Sequence, residues 1–378
     1  MARGSHSLAR TPLLELLFRR IEDYGPMTFA DAMRECLYHP RHGYYNRAEA
    51  RRFGDYYTSV DVHPIFGRLL VRQLAEMWEA LGKPERFSAV EAGAGNGRLA
   101  AEILDFAARR LPSFYAALEY AAVERSASRR EAQATHLARH LDAGRCVSVG
   151  EIPREIPFGC ILSNELLDAL PVHRVVCKGG ALQEVFVGLR DDRLCEQIGP
   201  LSTCAIAEYF AAQGITLAES QQAEAGLEAC DWILEIGKRL GRGFVLTIDY
   251  GHEASELYNE RHLRGTMLAY HQHRSSEDFL ALPGEQDLTA HVNFSALELW
   301  GKRAGLEKTG LVSQSKFLMA LGEANEFGDL YDEGQSEAEK LRARLLLKTL
   351  IFPEGMGETF QVMIQHKGIA RPRLTGLG

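Results

Sequence analysis

The sequence contains no apolar run that approaches the roughly 18 residues needed to span a bilayer. It also has no basic excess, because 51 Asp and Glu outnumber 43 Lys and Arg and leave a net charge of −8. A protein that binds nucleic acid without sequence preference needs a basic face. We therefore predict no membrane span and no nucleic-acid partner, while a basic protein substrate is compatible with the acidic balance.

Metal-binding and disulfide patterns are missing as well. The 7 cysteines are scattered and form no C-x-x-C pair, and the histidines at 271 and 273 have no H-E-x-x-H motif. Scattered thiols are typical of reduced intracellular proteins. We predict no metal site and a bacterial cytoplasmic location. The mitochondrial matrix is the alternative, since the basic segment 1–10 reads either as a truncated transit peptide or as an expression remnant.

A glycine-rich stretch is the most informative local pattern. An apolar segment over 87–92 leads into Gly93, Gly95 and Gly97, and apolar residues at helical spacing follow from Leu99. This order predicts a strand, a tight turn and a helix N-terminus. Because glycine has no Cβ, such a turn lets a ligand approach the main chain. Nucleotides and adenosyl compounds bind at turns of this kind; a tight turn without a ligand is the alternative.

The spacing of the glycines separates two classes of cofactor. A dinucleotide fingerprint requires G-x-G-x-x-G, and Arg98 stands where its last glycine would be. Glu91 precedes the glycines, and the resulting E-x-G-x-G-x-G pattern resembles motif I of class I S-adenosylmethionine (SAM) methyltransferases. The pattern therefore favours SAM and argues against a nicotinamide oxidoreductase.

Polar residues follow the other predicted strands. The strand over 118–124 ends in Glu124, and an acid at this place in a doubly wound sheet can bind ribose hydroxyls. Two further apolar strands, over 158–163 and 243–251, end in or lead into the candidate acceptor-binding residues Asn164, Glu165, Asp168, Asp249 and Tyr250. The alternatives are a solvated strand end for Glu124 and a helix cap for the 164–168 group.

The pattern of elements predicts an α/β fold with a seven-stranded sheet. We expect the chain to divide into four successive segments. Residues 1–80 are expected to form an N-terminal helical and lid segment, whose aromatic residues include Tyr44 and Tyr45. We expect the SAM-binding half of the core over 81–189 and a hairpin and helical insertion over 190–242. The second half of the core, with an inserted loop and helical segments, is expected over 243–378.

Several ordered motifs together resemble one family, the MidA family of SAM-dependent methyltransferases. Its relatives include the mitochondrial complex I assembly factor that is a protein arginine methyltransferase. The motifs are His39-Pro…Gly43-Tyr-Tyr45, Gly54-Asp55…Thr58-Ser59…Phe66-Gly67, Glu91-x-Gly-x-Gly-x-Gly97, Asn164-Glu-Leu-Leu-Asp-Ala-Leu-Pro171, Ile248-Asp-Tyr-Gly-His252 and Asp287-Leu-Thr-Ala. They extend in order over nearly the whole chain.

The resemblance implies a Rossmann-like sheet, SAM as cofactor and methylation of a protein arginine, with a subunit of a respiratory complex as partner. The residues that it assigns to SAM are Glu91, Gly93, Gly95, Gly97 and Glu124, with Asn164 beside them. The family pattern leads us to expect an acid where this sequence has Asn293. If that acid neutralises a guanidinium in relatives, the substrate here differs.

Methyl transfer to a guanidinium requires carboxylates, since the group is protonated at neutral pH and must be oriented and deprotonated. We assign that work to Glu165, Asp168 and Asp249, orientation of the acceptor to Asn164, and exclusion of water to Tyr44, Tyr45 and Tyr250. Two alternatives stay open. One is a SAM-binding assembly chaperone without turnover, and the other is a methyltransferase for a small molecule.

Overall fold

The computed structural model describes residues 11–46, 59–272, 274–331, 335–352, 357 and 359–378. The chain divides into two compact units, each built from separate stretches of sequence. Unit 1 comprises the described residues of Met1–Tyr56, Ala169–Leu227 and Tyr258–Ala290, and unit 2 those of Tyr57–Asp168, Glu228–Leu257 and His291–Gly378. In the described parts of the chain, no helix is long and apolar enough to cross a membrane.

The α-helices and β-strands are numbered separately in chain order. The helices are α1 Pro12–Tyr24, α2 Phe29–Tyr38, α3 Ser59–Val62, α4 Ile65–Ala80, α5 Arg98–Arg110, α6 Pro112–Ala117, α7 Ala127–Asp142, α8 Cys204–Ala212, α9 Leu227–Arg239, α10 Ala254–Leu257, α11 Phe294–Arg303, α12 Gln314–Glu323 and α13 Glu337–Ile351. The strands are β1 Met27–Thr28, β2 Phe87–Ala92, β3 Leu118–Val123, β4 Cys146–Val149, β5 Ile156–Asn164, β6 His173–Lys178, β7 Ala181–Arg190, β8 Arg193–Gly199, β9 Gln222–Ala225, β10 Leu240–His252, β11 Leu268–His271, β12 Arg274–Ser276, β13 Asp287–Thr289, β14 Val292–Asn293, β15 Glu307–Ser313 and β16 Phe360–Lys367.

Unit 2 is organised around one large sheet. Its strand order in the described residues is β15-β16-β10-β5-β2-β3-β4, and the short β14 pairs with β10 beside this path. Strands β10, β5, β2, β3 and β4 run parallel, whereas β16 is antiparallel to both β10 and β15. The central strands are almost wholly buried, as strands covered on both faces must be. The α/β class and the path of seven strands are confirmed.

The register of the parallel strands brings their carboxyl ends together. Ala92 lies opposite both Val123 and Ser163, and Asn164 lies opposite Ile248. The loops that follow β2, β3 and β5, and the end of β10, therefore lie at one edge of the sheet. In open α/β sheets this edge is where ligands bind.

The core of unit 2 fills the space between this sheet and its helices. Helix α4 packs against α5 and α12, and Leu70, Ile103, Leu246 and Phe317 are fully buried within this core. Helix α5 buries the apolar residues whose helical spacing is visible in the sequence. The glycine turn therefore lies between two elements, β2 and α5, whose apolar residues are buried in this core.

Unit 1 contains two smaller sheets. One has the order β1-β7-β6-β9 with β8 pairing with β7, and the other has the order β12-β11-β13. Helices α1 and α2 contribute Leu17 and Met33 to its core, and Tyr44 is 2% exposed in the same cluster. The hydroxyl of Tyr45 donates to Oδ1 of Asp287 at 2.9 Å, so two of the family motifs meet inside this unit.

The compact units do not follow the four contiguous segments expected from the sequence. Each of those segments contributes residues to both units, because the chain leaves the large sheet after β5 and again after β10. Strand β9 lies in the segment 190–242, where a hairpin and helical insertion is expected. Residues 47–58 of the predicted lid, including Gly54, Asp55 and Thr58, lie outside the described residues.

Candidate cofactor and acceptor site

The three glycines after β2 form the turn that the sequence predicts. Gly93, Gly95 and Gly97 have φ values of 76°, 54° and 83°, in the left-handed region that other residues adopt only at a cost. The Gly93 N–H donates to the carbonyl of Val123 at 3.0 Å, and the Gly97 N–H donates to the carbonyl of Ala94 at 2.9 Å. The turn is therefore tied to the end of β3 as well as to its own chain.

The space around each glycine differs. A Cβ on Gly93 would lie 2.9 Å from Cδ1 of Leu166, and one on Gly97 would lie 3.0 Å from Cδ1 of Leu137. At Gly95 a Cβ would meet nothing within 4 Å. Gly93 and Gly97 thus allow close packing inside the protein, while the main chain at Gly95 is open to a ligand.

Glu124, at the end of β3, lies at the same turn. Its Oε2 accepts from the Gly95 N–H at 3.1 Å, and its Oε1 accepts from the Ser126 N–H at 2.8 Å. A guanidinium nitrogen of Arg129 lies 3.6 Å from Oε2. The alternative of a solvated strand-end acid does not fit, since Glu124 is 7% exposed.

Gln133 is a residue of this turn that the sequence interpretation missed. Its Nε2 donates to the carbonyl of Gly95 at 2.9 Å, and its side chain is fully buried in α7. A signal existed, because Gln133 precedes the buried Leu137 by one helical turn and so shares its face. The turn is consequently held at its N–H by Glu124 and at its carbonyl by Gln133.

Glu91 lies beneath the turn, in the interior of unit 2. It is 4% exposed, and its Oε2 accepts a 2.7 Å hydrogen bond from the hydroxyl of Tyr120. Burial raises the pKa of Glu91 to about 7. The hydrogen bond of this side chain is therefore made inside the protein, to Tyr120 of β3.

The loop over 164–168 follows β5. No helix begins here within the described residues, so the helix-cap alternative does not apply. Glu165 has a φ of 52°, and its N–H donates to the carbonyl of Ile248 at 3.0 Å. The Nδ2 of Asn164 donates to Oε1 of Glu165 at 3.0 Å. In the described residues, the buried Oδ1 of Asn164 has no hydrogen-bond partner.

Asp249 is fully buried at the end of β10 and is bonded to this loop. Its Oδ2 accepts from the N–H groups of Leu166, Leu167 and Asp168 at 3.1, 2.8 and 3.4 Å, and its Oδ1 accepts from Tyr250 N–H at 2.9 Å. Burial raises the pKa of Asp249 to about 7, although these four hydrogen bonds act in the opposite direction.

The remaining two predicted positions have clear packing roles. Tyr250 lies with its ring centroid 3.9 Å from that of Phe360. Asn293, the departure from the family pattern, caps α11, since its Oδ1 accepts from the Ala296 N–H at 3.0 Å. A carboxylate can cap a helix in the same way, so an Asn at this position keeps the local structure.

The sheet order, the glycine turn and the acids at the carboxyl edge define a Rossmann-like fold of the methyltransferase class. Residues 69–312 match the family described as "Putative S-adenosyl-L-methionine-dependent methyltransferase". The chain belongs to this family, the MidA family of SAM-dependent methyltransferases.

Relatives of known name and structure agree with this assignment. The protein arginine methyltransferase NDUFAF7, mitochondrial, of Mus musculus is 31% identical over 93% of this chain and 83% of its own. The Homo sapiens protein of the same name is 32% identical over 93% and 82%. A Burkholderia thailandensis protein crystallised with S-adenosyl-homocysteine (SAH) has a TM-score of 0.86 and 30% identity, covering 100% of this chain and 97% of that one.

SAM is therefore the cofactor of this protein, and two local features fit it. The main chain at Gly95 is open, so a ligand can approach it closely. The buried Oδ1 of Asn164, which has no hydrogen-bond partner in the described residues, can accept a bond from a donor group such as an ammonium.

Proposed function

We propose that this protein transfers the methyl group of SAM to the guanidinium of an arginine in a protein. The observation that carries this proposal is the contact between the glycine turn and the 164–168 loop. Leu166 Cδ1 lies only 2.9 Å from the position of a Cβ on Gly93. A donor bound at the turn and an acceptor bound at the loop would be neighbours, as a direct transfer requires.

We assign the hold on SAM to the turn and to the groups around it. Gly95 would present its main chain to the amino acid part of SAM, while Gly93 and Gly97 would keep the turn in the conformation that allows this. The oxygens of Glu124 would accept bonds from the ribose hydroxyls of SAM. Asn164 would accept a bond from its ammonium. Bound SAM supplies a methyl group on a positively charged sulfur, which leaves as a neutral thioether.

We assign the acceptor to the acids of the loop. Glu165 and Asp168 would orient a guanidinium through charge-assisted hydrogen bonds and take its proton as the new bond forms. The hydrogen bond from Asn164 supports this role, because it orients the carboxylate of Glu165. Tyr250 would exclude water from the reacting atoms, in keeping with its packing against Phe360.

The substrate class follows the names of the curated relatives, which are called protein arginine methyltransferases. A subunit of a respiratory complex is the partner that we propose. The same relatives are named mitochondrial, which favours the matrix, whereas the Burkholderia thailandensis protein is bacterial and favours a bacterial cytoplasm.

The test is a transfer assay with SAM labelled in its methyl group. The purified protein is incubated with a protein extract, and the products are analysed by mass spectrometry for a mass gain on arginine. Glu165→Gln should reduce transfer by about 10²-fold or more, and SAH affinity measured by calorimetry should stay within a few-fold. Glu155→Gln, an exposed acid before β5, is the matched control and should keep full transfer.

The other outcomes are equally specific. Label on a small molecule would replace the protein substrate, and label on a different side chain would replace arginine. Binding of SAH without transfer to any component of the extract would support the assembly chaperone. Full transfer by Glu165→Gln would remove Glu165 from the acceptor site.

A further inference from the structure

Both carboxylate oxygens of Asp249 accept hydrogen bonds from backbone N–H groups. One oxygen, Oδ2, accepts from three consecutive backbone N–H groups, those of Leu166, Leu167 and Asp168. The other oxygen accepts from Tyr250 N–H. The side chain is fully buried. In the described residues, every hydrogen bond of this carboxylate therefore comes from the main chain of its own unit.

Consecutive N–H groups of a turn form a concave site for an anion, and here the anion is a side chain of the neighbouring strand. Such bonds are charge-assisted in the ionised form of the carboxyl group, and are then stronger than bonds between neutral groups. They fix the path of residues 166–168 relative to β10. The loop has no helix of its own to fix that path.

Two features of the loop depend on that path. Leu166, whose N–H is held by Asp249, packs its side chain against Gly93 in the glycine turn. Glu165 precedes it in a left-handed conformation, which costs free energy in a non-glycine residue and persists only where its surroundings hold it. The bonds of Asp249 thus act on both the cofactor side and the acceptor side of the loop.

We infer that Asp249 is a positioning residue, which holds the 166–168 turn so that Leu166 is seated on Gly93 and Glu165 is presented to the acceptor. This differs from the role in acceptor chemistry that the sequence suggests for Asp249. The inference deepens the proposed function and rests on it for the part that concerns the acceptor. The part that concerns the loop stands on backbone geometry alone.

The experiment compares Asp249→Asn and Asp249→Ala with the wild-type protein. An Asn side chain keeps one oxygen for the three loop N–H groups, but its amide nitrogen faces the Tyr250 N–H. An Ala keeps no acceptor. The readouts are amide hydrogen exchange over 164–168, SAH affinity by calorimetry, and kcat and KM in the transfer assay.

Thr247→Val is the matched control. Thr247 is fully buried in the same strand, and its hydroxyl has no hydrogen-bond partner in the described residues. Its replacement should leave exchange over 164–168, SAH affinity and kcat unchanged. Leu166→Ala is the second variant, for the case in which Asp249→Ala does not fold. It should weaken SAH binding several-fold while the loop amides stay protected, since their bonds to Asp249 remain.

We expect a graded series. Amide protection over 164–168 and kcat should both fall from wild type to Asn to Ala, with kcat about 10²-fold lower in the Ala variant, as misplacement of reacting groups produces. KM for SAM should change much less than kcat. If Asn and Ala lose kcat equally while Asn keeps full loop protection, Asp249 acts directly in proton transfer and the inference is overturned.

Exchange and SAH affinity need no acceptor, so they report on the loop even if the proposed substrate is wrong. Normal exchange over 164–168 in Asp249→Asn, together with normal SAH affinity in Leu166→Ala, would overturn the positioning role. Altered exchange in the variants would support the positioning role even if neither the variants nor the wild type showed measurable transfer. The absence of transfer would then count against the proposed function instead.

Discussion

The hydroxyl of Tyr120 donates a 2.7 Å hydrogen bond to Oε2 of Glu91 in the interior beneath the glycine turn. Burial raises the pKa of Glu91 from 4.5 to about 7, and the hydrogen bond from Tyr120 opposes this shift. Between these two values the native state keeps the proton that the unfolded chain has lost. The contribution of Glu91 to the free energy of unfolding therefore falls as pH rises from about 4.5 to about 7.

Glu91→Gln should remove this loss, because Gln carries no proton equilibrium and its Oε1 can still accept from Tyr120. We expect the variant to be more stable than the wild-type protein at pH 8, by on the order of 1–3 kcal/mol, and close to it at pH 4.5. Urea unfolding at both pH values measures the difference.

The control is Glu119→Gln, which removes the same charge from a partly exposed side chain on β3. It should show no comparable gain between the two pH values. The contrary result is a stability difference between Glu91→Gln and wild type that is no more favourable at pH 8 than at pH 4.5. The carboxylate of Glu91 would then be ionised in the native protein and stabilised by groups other than Tyr120.

Gly93→Ala should weaken SAH binding by more than tenfold, because the new Cβ would meet Leu166 and displace the loop. The left-handed φ adds a cost of roughly 1–2 kcal/mol in stability. Gly82→Ala separates the two effects, since Gly82 has a φ of 86° and open space around it. Calorimetry with SAH and thermal unfolding of both variants provide the comparison.

Gly82→Ala should lose stability and keep SAH affinity. The double variant Gly93→Ala, Leu166→Ala should recover part of the affinity, since the clash is gone, while the backbone strain and the several-fold loss expected of Leu166→Ala remain. An unchanged affinity in Gly93→Ala would show that the turn and the loop adjust independently.

Asn293→Asp should leave both stability and methyl transfer close to wild type, because either side chain can accept the Ala296 N–H that begins α11. Asn293→Ala should cost about 1 kcal/mol through loss of the cap. Thermal unfolding measures the stability of both variants, and the transfer assay measures their methyl transfer. A large gain in transfer to arginine in Asn293→Asp would instead indicate that an acid here recognises the guanidinium.

Local patterns in the sequence were sufficient for the strands of the large sheet and for the turn at Gly93 to Gly97. Glycine spacing and apolar periodicity depend on neighbours a few residues away, so they can be interpreted without knowing the fold. The carboxyl-edge position of Glu124 and Asn164 also followed, since parallel strands end together. The missed residue, Gln133, shares the buried face of α7 with Leu137, but its hydrogen bond to the carbonyl of Gly95 is visible only in the tertiary structure.

The sequence by itself determined the family, the cofactor class and the order of the large sheet's strands along the chain, because these depend on residue type and spacing. The tertiary structure alone decided that the chain forms two units from interrupted stretches, and that Asp249 bonds to the main chain of Leu166 to Asp168. Those bonds join positions about 80 residues apart in the sequence. A shift of one residue in the register of β10 would turn the side chain of Asp249 to the other face of the sheet. Hydrogen-bond partners at such separations are set by the packing of strands, which residue type does not specify.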